Sequence, residues 1–294
     1  MAGELRQLGH AVELIEIATR GDLEQVVAVE EIGTRGVFTK EIQRALLAGD
    51  VDIAVHSLKD LPTEPVEGLR LAAVPSRESS ADVLVPRAGS GEPGAGSKNL
   101  FSDLPLGARI GTGSLRRQAQ LRHVRPDLQV ADVRGNVDTR LRKLDEGQFD
   151  ALVLAEAGLR RLGVADRISH VLPFDVMLPA VGQGALAIEC RAEDTTTRKI
   201  LSSLDDNVTH VAIIAERALL EHLRGGCMAP IGALGQVHDS TLSLTAVVLS
   251  ADGARRLTAS EVDSPSEAES LGIRVADVLL AQGAAELIAT SRNA

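Results

Sequence analysis

The chain has 294 residues, of which 44% are hydrophobic and 24% charged, values typical of a globular protein with roughly two or three domains. Its net charge of -10 disfavours binding to a large polyanion, and the lack of Tyr and Trp removes the usual stacking platforms for single-stranded nucleic acid. No apolar run approaches 20 residues and no basic segment followed by an apolar one opens the chain. The sequence therefore predicts a cytoplasmic protein without a membrane span.

Alternating helix and strand patterns fill the first half of the chain. A strand is predicted from about Ala11, and apolar spacing predicts a helix over 37–48 that stops at Gly49. Further predicted elements are a strand at 51–55, a strand at 108–111 before a helix from about Ser114, a strand at 128–133 before a helix from about Val137, and a strand at 151–154 before a helix at 157–162. Such alternation favours parallel sheets with crossover helices.

The second half of the chain has a different pattern. A stripe of apolar residues over 208–219 predicts a helix that packs against a core. From Thr241, alternating apolar residues, a turn at 251–254 and another strand predict a hairpin, and an amphipathic helix follows from about Ser266. The predicted fold class is α/β with a small α+β C-terminal domain, and the Gly-, Ser- and Pro-rich segment 87–97 is predicted to be a surface loop.

Three polar residues follow the predicted strand at 51–55. Ser57, Lys59 and Asp60 come where the strand ends, and open α/β sheets place ligand-binding groups at that end. The same residue types beside Pro62 also suit a solvated turn. On position alone, a ligand site and a surface turn are equally good interpretations.

A sharper pattern occupies residues 111–117, where a strand, a glycine turn and a helix succeed one another. Ser114 is placed to cap the helix, and backbone N–H groups of its first turn are available to an anion. Arg116 and Arg117 in that first turn oppose the helix dipole. An anionic partner, either a ligand or a neighbouring acid, would compensate them, whereas two arginines pointing into solvent would need none.

More arginines follow the next two strands. Arg134 directly follows the strand at 128–133, Arg140 lies one turn into the helix that starts near Val137, and Arg160 and Arg161 lie on the helix after 151–154. Guanidinium groups pair bidentately with carboxylate or phosphate. The pattern therefore predicts a substrate with several such groups, although any one of these arginines could be a surface residue.

The chain has two cysteines, Cys190 and Cys227, and seven scattered histidines. Cys227 follows two glycines after a long amphipathic helix, so it could carry a covalent group; it could also be an inert thiol or pair with Cys190. No Walker loop, His-Glu-x-x-His pair or paired Cys-x-x-Cys occurs, so no metal is predicted. His56 and His222 are weak candidates for a catalytic or metal role.

Five segments together match one family in order. They are VDIAVHSLKDLP at 51–62, GTGSLRR at 111–117, RGNVDTRL at 134–141, LPAVGQGA at 178–185 and GGC at 225–227. On these motifs the chain resembles the porphobilinogen deaminase family, also called hydroxymethylbilane synthases, over roughly residues 18–232. The C-terminal domain fits in pattern.

The resemblance implies three domains, two of them similar to periplasmic binding proteins on either side of a cleft. The predicted boundaries are 1–78 with 184–203, 79–183, and 204–294. It implies a monomer whose partner is the small-molecule substrate porphobilinogen, with no nucleic acid or membrane. Four substrate molecules are joined, with loss of ammonia, into hydroxymethylbilane for tetrapyrrole synthesis.

The family's cofactor is a dipyrromethane in thioether linkage to the cysteine that matches Cys227. The resemblance assigns Asp60 to proton transfer and to stabilising positive charge on pyrrole nitrogens, before the free α-carbon of the growing chain attacks an azafulvene. Arg35 matches a basic position on a lid over the cleft, and Gln183 matches a hinge-side cleft residue. The positions that match binders of acetate and propionate groups are Ser57, Lys59, Ser114, Arg116, Arg117, Arg134, Arg140 and Arg161.

Two departures from the family pattern stand out. Gly113 replaces the first serine of the family's Gly-Thr-Ser-Ser type motif, which removes one possible hydroxyl contact. The family also opens with a strand and a helix, whereas this chain begins near the end of that helix, at 4–9. We therefore expect one strand and most of one helix to be missing, as in a truncated gene model, and expect the activity of such a chain to be impaired.

Two other classes of protein would fit parts of the pattern. A two-lobed, non-catalytic solute-binding protein could grip a small polyanion with the same arginines, but it would need neither Asp60 nor Cys227. A nucleic-acid-binding regulator conflicts with the acidic charge and the missing aromatic residues.

Overall fold

The computed structural model describes residues 1–17, 39–87, 101, 103–226 and 229–291. This part of the chain contains nine α-helices and eleven strands. The helices are α1 (Ala2–Gln7), α2 (Lys40–Ala48), α3 (Leu115–Val124), α4 (Val137–Asp145), α5 (Glu156–Arg161), α6 (Thr195–Leu201), α7 (Asn207–His222), α8 (Ala268–Ala281) and α9 (Ala284–Ser291). The strands are β1 (Ala54–Ser57), β2 (Leu69–Ala73), β3 (Asp82–Pro86), β4 (Arg109–Gly111), β5 (Gln129–Ala131), β6 (Ala151–Ala155), β7 (His170–Val171), β8 (Leu186–Arg191), β9 (Ile231–His238), β10 (Thr241–Leu249) and β11 (Arg256–Asp263).

The strands form three separate sheets. The first has the order β1-β8-β2, the second β5-β4-β6-β3-β7 and the third β11-β10-β9. Buried apolar clusters accompany each sheet, the largest of them between the third sheet and helices α7 to α9. This arrangement confirms the predicted α/β class with a smaller α+β unit at the C-terminal end.

Most predicted elements are present with small shifts at their ends. Ser114 caps α3, Gly49 ends α2 in the left-handed conformation at φ 81°, and the hairpin of β10 and β11 precedes α8. The first predicted strand after α2 begins three residues later than expected, as β1 at Ala54–Ser57. The loop predicted at 87–97 lies outside the described residues except for Arg87.

Two predictions are wrong. Residues 11–17 form no strand: they pair with no other strand of the described chain, and Leu14 and Ile15 are 71% and 55% exposed. An isolated strand would leave its backbone groups unpaired. The sheets are also not parallel throughout. In the second sheet β4 runs parallel to β5 and β6, but β3 runs antiparallel to β6 and β7, and all pairings in the first sheet are antiparallel.

The reason for the antiparallel pairs is the route of the chain. β8 enters the first sheet from the second one, more than 100 residues after β2, and inserts between β1 and β2 against their direction. No crossover helix links β8 directly to β1 or β2, so the right-handed, parallel connection typical of βαβ units does not apply to these strands. The end of β1 therefore lies beside the start of β8, and the short 3₁₀ turn Leu58–Asp60 begins there.

Candidate active site

The turn that carries Lys59 and Asp60 is held in place by contacts with neighbouring segments. Leu58 is 1% exposed and packs against Gly182, which has φ 72° and leaves no room for a Cβ atom. Arg217 on α7 donates hydrogen bonds to the carbonyl oxygens of Leu61, at 3.1 Å, and Pro62, at 2.7 Å. Two separate segments thus hold the turn, which favours the ligand-site interpretation over that of a solvated surface turn.

Asp60 is accessible to solvent at its surface, yet it is surrounded by protein on most sides. An exposed side chain in such surroundings lies in a concave part of the surface. Removal from bulk water raises the pKa of its carboxyl group, while the charges of Lys59, His56 and Arg140 act in the opposite direction. A carboxylate in a recess lined by cations can stabilise positive charge that develops on a ligand.

Lys59 shares this recess. Burial lowers the pKa of its ammonium group, Asp60 and Asp82 counteract that effect, and Arg116 and Arg117 reinforce it. Lys59 is therefore close to the two carboxylates and to the two guanidinium groups. It connects the first sheet, which carries Asp60, to the second sheet, which carries the arginines.

Arg116 and Arg117 have a protein partner, which the sequence left open. Both guanidinium groups are buried, at 4% and 5% exposed, and both contact the fully buried carboxylate of Asp82. Arg116 Nη1 lies 2.7 Å from Oδ2, and Arg117 Nε lies 2.9 Å from Oδ1. Burial alone would raise the pKa of Asp82, but the two arginines and hydrogen bonds from Arg116 and Gln183 lower it to about 2.

Gln183 completes this buried cluster. Its amide nitrogen donates to Asp82 Oδ1 at 2.9 Å and to the Ser80 carbonyl at 2.7 Å, and its oxygen accepts long contacts of 3.4 Å from Arg116 and Arg117. The side chain is only 1% exposed. Gln183 therefore positions the two arginines from within the protein.

Ser114 and Asn136 have equivalent local roles at the two neighbouring turns. Ser114 accepts a bond from the N–H of Arg117 at 3.5 Å, and Asn136 accepts one from the N–H of Thr139 at 2.9 Å, so each caps its helix as N-cap residues do. Gly113 lies between the turns, and a Cβ atom there would come within 2.9 Å of the Val133 carbonyl. The serine of the family motif would therefore need the two turns to separate slightly.

Arg134 and Arg140 lie at the second of these turns. Arg140 donates to the Gly135 carbonyl at 2.7 Å, and Arg134 pairs with Asp132 at the same distance. Burial, followed by the proximity of Arg117, lowers the pKa of Arg140, while Asp132 and Asp60 act against this. Like charges are thus crowded at this side of the recess.

The connected groups form a cluster with unbalanced charge, which we call the cationic recess. Its members are Lys59, Arg116, Arg117, Arg134, Arg140, Asp60, Asp82 and Asp132. Five cationic side chains face three carboxylates, which leaves an excess of two positive charges. In addition, the buried Nε of Arg116 has no hydrogen-bond acceptor among the described residues. An anionic ligand would compensate both.

Other predicted site residues lie away from the core of this cluster or beyond the described chain. Ser57 is exposed at the end of β1, opposite Leu186, and Arg161 is exposed and donates to the Gly184 carbonyl at 2.7 Å. Arg160 is paired with Glu156. Arg35 and Cys227 lie outside the described residues, so their predicted roles stay predictions.

A second buried carboxylate, Glu216, was not predicted from the sequence. It is completely buried on α7 and accepts bonds from Arg77 at 2.6 Å and from the backbone N–H groups of Gly182 and Gly235 at 2.7 and 2.9 Å. These donors belong to the two segments that connect the first and second sheets and to β9 of the third. The local signal was an acid on the buried stripe of a helix, but its partners are far away in sequence.

The protein-family comparison decides between the possible functions. Residues 1–199 match the family model described as "Porphobilinogen deaminase, dipyromethane cofactor binding domain", and residues 210–281 match "Porphobilinogen deaminase, C-terminal domain". The chain belongs to the porphobilinogen deaminase family. This result favours the enzyme over the solute-binding alternative, and it confirms a dipyrromethane cofactor and a transferase of tetrapyrrole synthesis.

Curated relatives agree with this assignment. The porphobilinogen deaminase of Geobacter metallireducens is 49% identical over 286 residues, which cover 97% of this chain and 87% of the relative. That of Synechococcus elongatus is 50% identical, with 97% and 88% covered, and that of Desulforudis audaxviator is 50% identical, with 94% and 87% covered.

Solved structures give a weaker likeness. The substrate-binding protein of an amino acid ABC transporter is 18% identical, with 69% of this chain and 76% of that one covered and a TM-score of 0.33.

Membrane-spanning helices and metal-binding clusters are both absent from the described ranges. None of their helices is both long and apolar enough to span a bilayer. The same ranges contain no group of three or more His, Cys, Asp or Glu side chains arranged to hold a metal ion.

Proposed function

We propose that Asp60 is the catalytic carboxylate of this porphobilinogen deaminase and that the cationic recess binds the carboxylates of the cofactor and of the growing pyrrole chain. The observation that carries this proposal is the recess itself: five cationic side chains and three carboxylates, with an excess of two positive charges, in which the accessible carboxylate of Asp60 lies close to Lys59 and Arg140. Porphobilinogen, the family's substrate, presents both the carboxylates and the amine that such a site needs.

The residues present fit a bound dipyrromethane. Its acetate and propionate groups would supply the negative charge that the recess lacks, and the unpartnered Nε of Arg116 is a buried donor for one of them. Lys59, Arg134 and Arg140 are partly accessible and can contact a carboxylate directly. When bound, the dipyrromethane supplies the free pyrrole α-carbon to which the first substrate unit is joined.

Asp60 acts on the substrate unit next to it. When the amine of porphobilinogen leaves as ammonia, positive charge develops on the pyrrole nitrogen, and a nearby carboxylate lowers the energy of that state. The raised pKa of Asp60 also brings the group closer to the range in which it can exchange a proton with the leaving amine. The turn holds the carboxylate in one place during both steps.

Arg116 and Arg117 have a different role from the more accessible cations. Both are held by Asp82 and Gln183, so their guanidinium groups are oriented before any ligand arrives. Preorganised donors bind a carboxylate without the entropy loss of ordering two flexible side chains. We infer that this pair sets the positions of the innermost carboxylates, while Ser57, Ser114 and Arg161 contribute at the periphery and Gln183 acts through the arginines.

Cys227 is the proposed attachment point of the cofactor. The alternative thiol, Cys190, is fully buried in β8, and burial, followed by the charge of Asp194, raises its pKa. A thiol in that state is a poor nucleophile because the thiolate is the reactive form. The Gly-Gly-Cys motif after α7 leaves Cys227 as the better candidate of the two.

We also propose the domain boundaries of the enzyme, its oligomeric state and location, and the role of Arg35. The domains are 1–78 with 184–203, 79–183, and 204–294, since the strands of each of the three sheets fall within one of these units. The protein works as a monomer in the cytoplasm. Arg35 covers the cleft as part of a lid.

Turnover of porphobilinogen tests the proposal directly. We expect the purified protein to release about four ammonia molecules for each hydroxymethylbilane formed, because each condensation expels one amine. Ammonia release and product formation can be measured in the same reaction. Binding of porphobilinogen without ammonia release would instead support a solute-binding protein.

A further inference from the structure

Gln120 is a buried side chain of α3 that has no part in the mechanism described above. It lies one helical turn after Arg116 and is 2% exposed. We propose that Gln120 is a positioning residue, which fixes the guanidinium group of Arg116 through the backbone of Leu178. This inference rests on the proposed binding of ligand carboxylates by Arg116.

The side-chain amide of Gln120 binds both backbone groups of Leu178. Its oxygen Oε1 accepts a hydrogen bond from the Leu178 N–H at 2.8 Å, and its nitrogen Nε2 donates one to the Leu178 carbonyl oxygen at 3.0 Å. The same nitrogen makes a longer contact of 3.4 Å with the carbonyl oxygen of Arg116 on its own helix. Because a primary amide presents a donor and an acceptor in one plane, the two short bonds together fix the distance and the orientation of the Leu178 backbone.

The Leu178 carbonyl oxygen also accepts a hydrogen bond from Arg116. Nη1 of the guanidinium group lies 2.5 Å from this oxygen and 2.7 Å from Asp82 Oδ2, so two acceptors hold one end of the group. A guanidinium group is planar, and fixing Nη1 between two acceptors therefore sets the direction of its other N–H bonds. One of these is the buried Nε–H, which has no acceptor among the described residues. Gln120 thus helps to decide where that donor points.

The third sheet also contacts Leu178. A Cβ atom on Gly232 would come within 2.9 Å of both the Cβ atom and the carbonyl oxygen of Leu178, so β9 lies directly against this residue. The next carbonyl oxygen, that of Pro179, accepts a hydrogen bond from the Ala233 N–H at 2.9 Å. The position of Leu178 therefore depends on the third sheet, while Gln120 links that residue to α3.

Arg117 provides an internal comparison because it is held by other groups. Its guanidinium group donates to Asp82 Oδ1 at 2.9 Å and to the Val153 carbonyl oxygen at 3.2 Å, with a contact of 3.4 Å to Gln183. Loss of the Gln120 amide should therefore loosen Arg116 and leave Arg117 in place.

Gln120→Met in the full chain tests this inference, because methionine has a similar length but cannot replace the two hydrogen bonds of the amide. The first readout is the NMR spectrum of protein whose arginines are labelled with ¹⁵N, in which Arg116→Lys and Arg117→Lys assign the two Nε–H signals. We expect the Arg116 signal to shift or broaden in Gln120→Met and the Arg117 signal to stay where it is. This readout does not depend on turnover.

The second readout is steady-state kinetics with porphobilinogen. A guanidinium group that is free to reorient loses part of its preorganisation, so we expect KM to rise about 10-fold while kcat stays within about threefold. Gln118→Met is the matched control, since Gln118 on the same helix donates instead to the Thr112 carbonyl oxygen at 3.0 Å. Its KM and its Arg116 signal should match those of the protein without substitutions.

Two outcomes would overturn the inference. One is an unchanged Arg116 signal in Gln120→Met, whatever the effect on KM or on the melting temperature, which would give Gln120 a purely structural role. The other is an equal change of the Arg116 and Arg117 signals, which would show a general loosening of the contacts around Asp82. A changed Arg116 signal with an unchanged KM would support positioning by Gln120 and contradict instead the proposed binding role of Arg116.

Discussion

Replacement of Asp60 by Asn is expected to abolish turnover of porphobilinogen while leaving the fold intact. The substitution keeps the shape of an accessible side chain, so no cavity or buried polar group is created. It removes the accessible carboxylate beside Lys59 and Arg140, and with it both the stabilisation of charge on the pyrrole nitrogen and the proton exchange. We expect kcat to fall by about 100-fold or more.

Asp50→Asn is a suitable control for this experiment. Asp50 is an exposed aspartate just after α2, ten residues before Asp60 and outside the recess, and its replacement should leave kcat unchanged. Melting temperature and attached cofactor should be the same in both variants. Near-normal turnover by Asp60→Asn would count decisively against a catalytic role for this residue.

Replacement of Glu216 by Ala is expected to have the largest effect on stability. The carboxylate is completely buried and accepts bonds from Arg77, Gly182 and Gly235, which belong to different parts of the molecule. Its removal leaves the guanidinium group of Arg77 and two backbone N–H groups without their acceptor. Loss of one partner of a buried pair costs about 3–5 kcal/mol, so the free energy of unfolding should fall by that amount.

Urea unfolding monitored by circular dichroism can measure this loss. Glu221→Ala is the matched control on the same helix, because Glu221 is exposed and its replacement should change the free energy of unfolding by less than about 0.5 kcal/mol. A loss of under 1 kcal/mol for Glu216→Ala would mean that the contacts of Glu216 do not hold the three sheets together.

The local patterns of the sequence predicted a large part of this fold. The glycine stop of α2, the serine cap of α3 and the hairpin of β10 and β11 each depend on a few neighbouring residues, so reading those residues is sufficient. The pairing of strands depends instead on segments that are far apart. Residues 11–17, predicted as the start of a strand, pair with no strand of the described chain, and the chain passes through the second sheet before β8 pairs in the first.

In the candidate site, too, local patterns were predictable from the sequence, whereas contacts between distant segments were not. The sequence pointed to Arg116 and Arg117 and to the need for an anion near them, but it could not tell a ligand from a neighbouring acid. Asp82, which pairs with both, is 34 residues away from Arg116 on a strand of apolar appearance. Gln183 was predicted to line the cleft, yet its side chain is buried beneath the arginines. Motifs identify which residues take part, whereas the fold decides which of them face the ligand.

Intact-protein mass spectrometry of the purified chain gives the most direct test of the covalent cofactor at Cys227. We expect a mass increase equal to one dipyrromethane in the protein without substitutions and in Cys190→Ala, since Cys190 is buried in β8. The increase should be absent from Cys227→Ser. An unmodified Cys227 in protein that turns over porphobilinogen, or an adduct that persists in Cys227→Ser, would contradict the proposed attachment.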